Sequence, residues 1–206
     1  MATEIELKAH VRDVDTVKQL LAEKAAFLCS FEKDDTLWFP ANTSAGKDTV
    51  SSDPSLFALP ATGLRVRREK RIFPDGKEEN SVIITYKNKE IRDGIEINDE
   101  KEFQILSQTG NGAEVFEDFL TRVHLGPGSG KRKKGWAYSV HGITAELHEV
   151  EGLGWFLELE ILADNGREET VSNGRKRLLE ILASLGIGGE AIENRPYMQM
   201  LASRGN

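Results

Sequence analysis

The feature that most constrains this chain is a strict alternation of charged and apolar residues. In residues 2–10, Glu4, Glu6 and Lys8 alternate with Ile5 and Leu7. Because successive side chains of a strand point to opposite faces, such a segment predicts a β-strand with one charged face and one apolar face. The same alternation recurs at four further places, whose polar members are Arg65 and Arg67; Thr85, Lys87 and Lys89; Arg92 and Glu96; and Glu158 and Glu160.

One such strand would fit an open sheet with one face in water. Five of them bring carboxylates close to guanidinium and ammonium groups, and a sheet that closes with its apolar side outward would enclose a lumen lined by both charges. Unpaired charges are costly in a confined site, so the lumen needs a ligand. Arg and Lys suit phosphate oxygens, and clustered carboxylates suit Mg²⁺ or Mn²⁺. The pattern therefore predicts a polyphosphate with a bound divalent cation.

The remaining periodicity indicates helices and a long loop within one domain that spans residues 1–206. Residues 41–63 combine Asn, Ser, Gly, Asp and Pro without a period, which predicts a mobile loop. Gly186 is expected to cap the last helix. The predicted helices are 13–28, 99–108, 113–124 and 167–185, and the predicted strands are 2–10, 36–39, 64–73, 80–89, 91–98, 136–150 and 155–163.

Charge and cysteine content exclude several classes of protein. The net charge of −7 argues against a simple electrostatic nucleic-acid binder. The single cysteine, Cys29, cannot form an intramolecular disulfide and is expected to be a small buried hydrophobe. The chain lacks an apolar N-terminal run, so we expect a cytoplasmic protein that binds neither membrane nor nucleic acid.

Five motifs occur in a characteristic order. They are Glu-Ile-Glu-Leu-Lys at 4–8, Leu-Arg-Val-Arg-Arg at 64–68, Thr-Tyr-Lys at 85–87, the long segment 149–160, and Arg-Pro-Tyr-Met-Gln-Met-Leu at 195–201. In this order they resemble the CYTH superfamily, also called triphosphate tunnel metalloenzymes. The segment 149–160 is the most specific of them and is most typical of class IV adenylyl cyclases and their CyaB-like relatives. The resemblance implies an α+β fold: a closed antiparallel eight-stranded β-barrel with a polar lumen, covered by helices.

The resemblance also implies roles for particular residues. Catalysis would involve Glu4, Glu6, Lys8 and His148, and a homodimer is expected by analogy with the cyclases. The ligands of Mg²⁺ or Mn²⁺ would be Glu4, Glu6, Glu96, Glu146, Glu158 and Glu160, and the triphosphate would be bound by Lys8, Arg65, Arg67, Lys87, Lys89, Arg92 and Lys133.

Two positions depart from the family pattern. His148 stands where an aspartate is usual, and it could be a metal ligand, a general base or a hydrogen-bonded structural histidine. When the basic segment is aligned on Tyr138, the arginine position falls on Gly135, while Lys133 keeps the family lysine. The run 131–134 is either part of the site or a solvated loop. Trp38 and Tyr138 could contact a substrate or pack in the core.

The implied function is that of a metal-dependent enzyme acting on a triphosphate. We expect a class IV adenylyl cyclase-like activity, which converts ATP into cAMP and pyrophosphate. The alternative is a triphosphate hydrolase, since thiamine triphosphatases and inorganic triphosphatases share the tunnel. A binding module without turnover is less favoured, because its carboxylates would repel a polyanion unless a metal were bound.

Overall fold

The computed structural model describes residues 3–41, 63–92, 95–106 and 110–204, except for the side chains of 87–90, 92 and 99. The predicted loop over 41–63 lies outside the described residues apart from its two ends. The helices are α1 (Val14–Lys24), α2 (Gly112–Arg122), α3 (Glu168–Ser184) and α4 (Tyr197–Arg204), with a short 3-10 turn at Gly189–Ala191. The strands are β1 (Thr3–His10), β2 (Ala26–Pro40), β3 (Leu64–Ile72), β4 (Glu78–Arg92), β5 (Ile95–Ile105), β6 (Leu125–Val140), β7 (Ile143–Val150) and β8 (Gly154–Ala163).

The strands form one curved antiparallel sheet. Neighbours pair in the order β1-β5-β4-β3-β2-β6-β7-β8, and β1 pairs with both β5 and β8, so the sheet closes on itself. The shortest strand pairing is that of β1 with β5, in which Glu4, Ile5 and Glu6 are the register partners of Asn98, Ile97 and Glu96. The predicted α+β class and the antiparallel sheet are confirmed.

The apolar faces of the strands point outward against helices. Ile5 and Leu7 of β1 lie in the main core with Leu178 and Leu182 of α3, and all four are almost fully buried. A Cβ at Gly174 would collide with the Ile5 side chain, so the glycine lets α3 approach β1 closely. Tyr138, one of the two aromatic residues considered as substrate contacts, belongs to this core.

A smaller core lies between α2 and the outer face of β2, β3 and β4. Trp38 packs there with Val66, Ile84 and Leu120. The packing interpretation therefore holds for both Trp38 and Tyr138. Cys29 is buried and free, in agreement with its predicted role as a small hydrophobe.

Several predicted boundaries are wrong for identifiable reasons. Residues 99–105 of the predicted helix over 99–108 belong to β5, because the consecutive charged residues Asp99 to Glu102 hide the period of a strand. Residues 107 and 108 lie outside the described part of the chain. The segment 91–98 contains the end of β4 and the start of β5. The predicted strand over 136–150 is two strands, joined by a turn in which His141 and Gly142 have φ of 51° and 76°.

The first helix is shorter than predicted, and the strand after it is longer. α1 ends at Lys24, since Ala25 has extended backbone angles, and residues 26–28 already belong to β2. The prediction over 36–39 covered only the end of this strand of 15 residues. The last long helix is as predicted, and Gly186 (φ 74°) follows it and donates its N–H to Ala183 at 3.0 Å. No helix in the described ranges has the length and apolar character needed to span a bilayer.

Candidate functional site

Cations line one side of the sheet interior. They come from three neighbouring strands, β3, β2 and β6, and we call them the basic wall: Lys33, Arg65, Arg67, Lys131 and Lys133. Lys33 and Lys133 are each only 6% exposed. On each strand these residues alternate with side chains that point outward, such as Val66 and Arg132.

Carboxylates line the other side. They come from β5, β1, β8 and β7, which are also contiguous in the sheet, and we call them the acidic wall: Glu4, Glu6, Glu96, Glu146, Glu158 and Glu160. Glu6 is the register partner of Glu96 on one side and of Glu160 on the other. Adjacent strands lie about 5 Å apart, so these three carboxylates stand side by side.

The two walls meet through short ion pairs. The Lys33 ammonium lies 2.6 Å from Glu146, and the Lys133 ammonium lies 2.6 Å from Glu158. Neither pair joins adjacent strands, since β2 and β7 are separated by β6, and β6 and β8 are separated by β7. The side chains therefore reach past one intervening strand on the inner face of the sheet.

The basic wall contains a carboxylate of its own. Asp35 accepts two hydrogen bonds from the Arg67 guanidinium at 2.6 and 3.0 Å, and its other close cation is Lys131 at 3.3 Å. Burial would raise the pKa of Asp35, but Arg67 and Lys131 hold it well below its usual range. Burial lowers the pKa of Lys131 to about 7, with Lys133 and Arg65 acting in the same direction against Asp35. Lys131 is thus a lysine whose proton is easily lost.

Lys8 contacts the C-terminal segment. Its ammonium donates to the backbone carbonyl of Arg195 at 2.6 Å and lies 3.9 Å from Glu96. It also lies 4.4 Å from the centre of the Tyr197 ring. The predicted roles of Lys8 in triphosphate binding and catalysis stay predictions, and the structure adds a contact that the sequence did not suggest.

A group of three potential metal ligands lies where the walls meet. Ligand atoms of Glu146, His148 and Glu158 are all within 4.8 Å of one another. Burial would raise the pKa of Glu146, but Lys33 and Lys133 lower it to about 2. Burial lowers the pKa of His148 to about 3, assisted by Lys133, so its ring is neutral at pH 7 and keeps a lone pair. Its Nε2 lies 3.1 Å from the Tyr197 hydroxyl.

These donor sets fit a hard or borderline divalent cation. Glu6, Glu96 and Glu160 offer oxygen ligands from three adjacent strands, the chemistry that Mg²⁺ prefers. The group around His148 adds an imidazole nitrogen, which suits Mn²⁺ better than Mg²⁺. A neutral imidazole beside two ionised carboxylates therefore fits the predicted cofactor.

Comparison with known proteins identifies the family. The family model of the CYTH domain matches residues 53–197. The chain belongs to the CYTH domain family. A search of curated proteins found no match.

Solved structures share the CYTH fold over nearly the whole chain. The PH1819 protein from Pyrococcus horikoshii is 24% identical, with 98% of this chain and 99% of that chain covered and a TM-score of 0.73. A candidate adenylate cyclase from Vibrio parahaemolyticus is 17% identical, with 97% of each chain covered and a TM-score of 0.68. The candidate adenylyl cyclase HpAC1 from Hippeastrum, described as having dominant triphosphatase activity, is 15% identical, with 99% and 96% covered and a TM-score of 0.62. At these identities the likeness shows the fold.

The two departures from the CYTH pattern lie directly opposite each other. Gly135 of β6 is the register partner of His148 of β7. A Cβ at Gly135 would collide with the carbonyl of Leu147 and with the Cα and Cβ of His148. Any side chain at position 135 would therefore need the β7 backbone to move, which accounts for a glycine opposite His148.

For the basic run 131–134, the interpretation as a solvated loop is wrong, and its membership of the site stays a prediction. It lies in β6 and not in a loop, so its side chains alternate. Lys131 and Lys133 face the interior with side chains 15% and 5% exposed, whereas Arg132 and Lys134 are each 69% exposed. The register also places Lys133 at the interior position that the resemblance implied.

The other predicted residues have defined places. Arg65 donates to Thr85 at 2.9 Å and lies 3.6 Å from Glu102, and Glu4 accepts from Asn98 at 2.9 Å. Lys87, Lys89 and Arg92 lie on β4, and their side chains are outside the described part of the chain. Their predicted roles stay predictions.

Four interior residues were missed by sequence reasoning. Lys33 and Asp35 alternate with Glu32 and Asp34, so both faces of that segment are charged and no alternation with apolar residues shows which face is buried. Glu69 lies in the basic run of β3, 3.6 Å from Lys33. Tyr197 lies in the motif at 195–201, which indicates the family but does not assign a role to this tyrosine.

Proposed function

We propose that this CYTH protein is a divalent-metal-dependent enzyme that processes a triphosphate inside the ring of strands. The ring would form the tunnel, and the first candidate reaction is the class IV adenylyl cyclase-like conversion of ATP into cAMP and pyrophosphate. The observation that carries the proposal is the separation of interior charge into a basic wall and an acidic wall, joined by the pairs Lys33–Glu146 and Lys133–Glu158.

These ion pairs suit an exchange of partners. Without ligand, each lysine neutralises a buried carboxylate. When a metal-bound triphosphate enters, the lysines would pair with phosphate oxygens and Glu146 and Glu158 would hold the cation. Every buried charge keeps a partner in both states, which avoids the cost of an unpaired ion. A triphosphate without a cation would leave Glu146 and Glu158 unpaired beside a polyanion, so binding is expected to require metal.

The residues of the two walls would then hold the reacting groups. Arg65 would present its guanidinium group to phosphate oxygens, and Lys33 and Lys133 would add point charges. Arg67, which is held by Asp35, would add fixed positive charge beside them. Glu6, Glu96, Glu146, Glu158 and Glu160 would hold Mg²⁺ or Mn²⁺, which would neutralise charge on the phosphate chain. Positioning and fixed charge supply most of the rate in phosphoryl chemistry.

The second candidate is a triphosphate hydrolase, in which water attacks the terminal phosphorus. The described interior favours it in one respect. Three aromatic side chains beside the walls, Phe31, Phe156 and Tyr197, are each at most 6% exposed, so these three would not stack on a base without a rearrangement. The same walls would serve an inorganic or an organic triphosphate.

Product analysis tests the proposal. The protein is incubated with Mg²⁺ or Mn²⁺ and, separately, with ATP, thiamine triphosphate and inorganic triphosphate. Formation of cAMP with pyrophosphate supports the cyclase, and release of orthophosphate supports the hydrolase. Binding of these compounds without any product would contradict an enzymatic role and favour the binding module.

A further inference from the structure

The C-terminal helix places one aromatic residue at the junction of the two walls. Tyr197 is the first residue of α4 and is 6% exposed. Its helix packs on the sheet through Met200, which lies with Tyr197 against Val150 and Phe156. Of the helices, α4 therefore brings a side chain to the charged interior, whereas α1 and α3 face the outer core.

The Tyr197 ring is surrounded by the ammonium groups of Lys8 of β1 and of two lysines of the basic wall. The nitrogens of Lys8, Lys133 and Lys131 lie 4.4, 4.6 and 5.5 Å from the ring centre. All three distances are within the range in which a cation is attracted to an aromatic face. These lysines also have carboxylate partners, Glu96, Glu158 and Asp35 respectively, and the ring adds an attraction that all three share.

The hydroxyl of Tyr197 has a separate set of partners. It lies 3.1 Å from His148 Nε2, and it also donates a hydrogen bond to the Glu158 carboxylate. Burial raises the pKa of this hydroxyl, and Glu158 acts in the same direction, so the phenol stays protonated and can donate to the carboxylate. The two parts of Tyr197 thus contact different groups. The ring contacts lysines, and the hydroxyl contacts two candidate metal ligands.

We propose that Tyr197 is a positioning residue with two separable functions. Its ring holds Lys8, Lys131 and Lys133 in the arrangement that binds the triphosphate, and its hydroxyl orients Glu158 and His148 toward the cation. This inference rests on the proposed function, because it assigns the lysines and the carboxylate to one ligand.

Two substitutions at position 197 separate these functions. Tyr197→Phe keeps the ring and removes the hydroxyl, so the affinity for inorganic triphosphate should stay within about twofold while the affinity for Mn²⁺ falls about tenfold. Tyr197→Leu removes both, so triphosphate affinity should fall about tenfold as well. Met200→Ala is the control: it weakens the packing of the same helix without touching the lysines, and both affinities should stay unchanged although the protein unfolds more easily.

The measurements are calorimetric titrations with inorganic triphosphate and with MnCl₂, together with NMR of the lysine side chains. A nearby aromatic ring shifts the ε-methylene resonances of Lys8, Lys131 and Lys133, and Tyr197→Leu should remove the shift while Tyr197→Phe keeps it. If the wild-type protein binds no triphosphate, the proposed function fails, and loss of the lysine shifts would still show the ring contacts. If it binds triphosphate and Tyr197→Leu binds equally well, or if Met200→Ala weakens both ligands as much as Tyr197→Leu, the positioning role of Tyr197 is overturned.

Discussion

The basic and acidic walls of the interior differ in how their charges are neutralised. The basic wall contains its own carboxylate, Asp35, which pairs with Arg67 and Lys131. The acidic wall has a row of three glutamates on neighbouring strands, and Glu146 and Glu158 pair with lysines of the basic wall. Asp35 therefore compensates cations of the basic wall from within, whereas the acidic wall, with six carboxylates, has Lys8 of β1 3.9 Å from Glu96 and draws on the basic wall for Glu146 and Glu158. This difference indicates where a cation would contribute most.

The largest effect is expected where the basic wall would lose its own carboxylate. Asp35→Asn leaves Arg67 and Lys131 without their closest counter-charge, which should lower the free energy of unfolding by about 3 kcal/mol. The adjacent Asp34 faces outward, pairs with Arg132 at 3.2 Å and is 51% exposed, so Asp34→Asn should cost less than about 1 kcal/mol. Urea unfolding followed by tryptophan fluorescence measures both, and equal losses would show that the two faces of β2 do not differ.

Loss of a carboxylate from the acidic wall should affect turnover more than folding. Glu158→Gln keeps the shape of the side chain and removes the charge proposed to bind metal, so kcat should fall about 100-fold. Glu149→Gln is the matched control, because Glu149 lies on the outer face of β7 and pairs with Lys134 at 3.1 Å. Steady-state rates with Mn²⁺ measure the difference, and full activity in Glu158→Gln would remove this residue from the metal site.

The neutral histidine where the walls meet should make stability depend on pH. The pKa of His148 falls from 6.5 to about 3 on folding, so the unfolded chain binds a proton that the folded chain does not. This term does not lower the free energy of unfolding above pH 6.5, and it lowers it progressively as the pH falls toward 3. The loss is about 2 kcal/mol at pH 5.

Unfolding of the metal-free protein at pH 7 and pH 5 measures this term. His148→Asn should lose less stability between the two values than the wild type does. His141→Asn should behave like the wild type, because His141 is exposed and asparagine tolerates its positive φ. The same slope in His148→Asn and the wild type would contradict a neutral buried imidazole.

The smallest effect compares two neighbouring lysines of β6. Lys133 faces Glu158 in the interior and Lys134 faces Glu149 outside. Lys133→Gln should raise KM for the triphosphate about tenfold, the usual worth of a charge-assisted hydrogen bond. Lys134→Gln should leave KM unchanged, and a comparable rise in both variants would mean that only overall charge matters.

The amino-acid sequence predicted the parts of this fold in which charge alternates with apolar residues. Strands β1, β3 and β8 and helices α2 and α3 were found for that reason, within a few residues of their observed bounds. Prediction failed in β2 and β5, where both faces carry charge, because the period that separates strand from helix is then hidden. Whether a charged residue points inward there depends on neighbouring strands far apart in the chain, such as β2 with β6.

For the site, ordered motifs predicted the glutamates and arginines of both walls. They could not show that Gly135 and His148 are register partners, since only the pairing of β6 with β7 brings them together. Likewise, the proximity of Tyr197 to Lys8 depends on the return of the C-terminal segment to β1, where Glu193 donates its N–H to the Lys8 carbonyl at 2.8 Å.

The central claim is that the two walls bind a single ligand, a triphosphate with its cation. Calorimetric titration with a non-hydrolysable triphosphate, in the presence and absence of Mn²⁺, tests it most directly. If the claim is correct, Mn²⁺ strengthens triphosphate binding at least about tenfold, and triphosphate strengthens Mn²⁺ binding by the same factor. Triphosphate binding that is unaffected by Mn²⁺, or no binding at all, would contradict it.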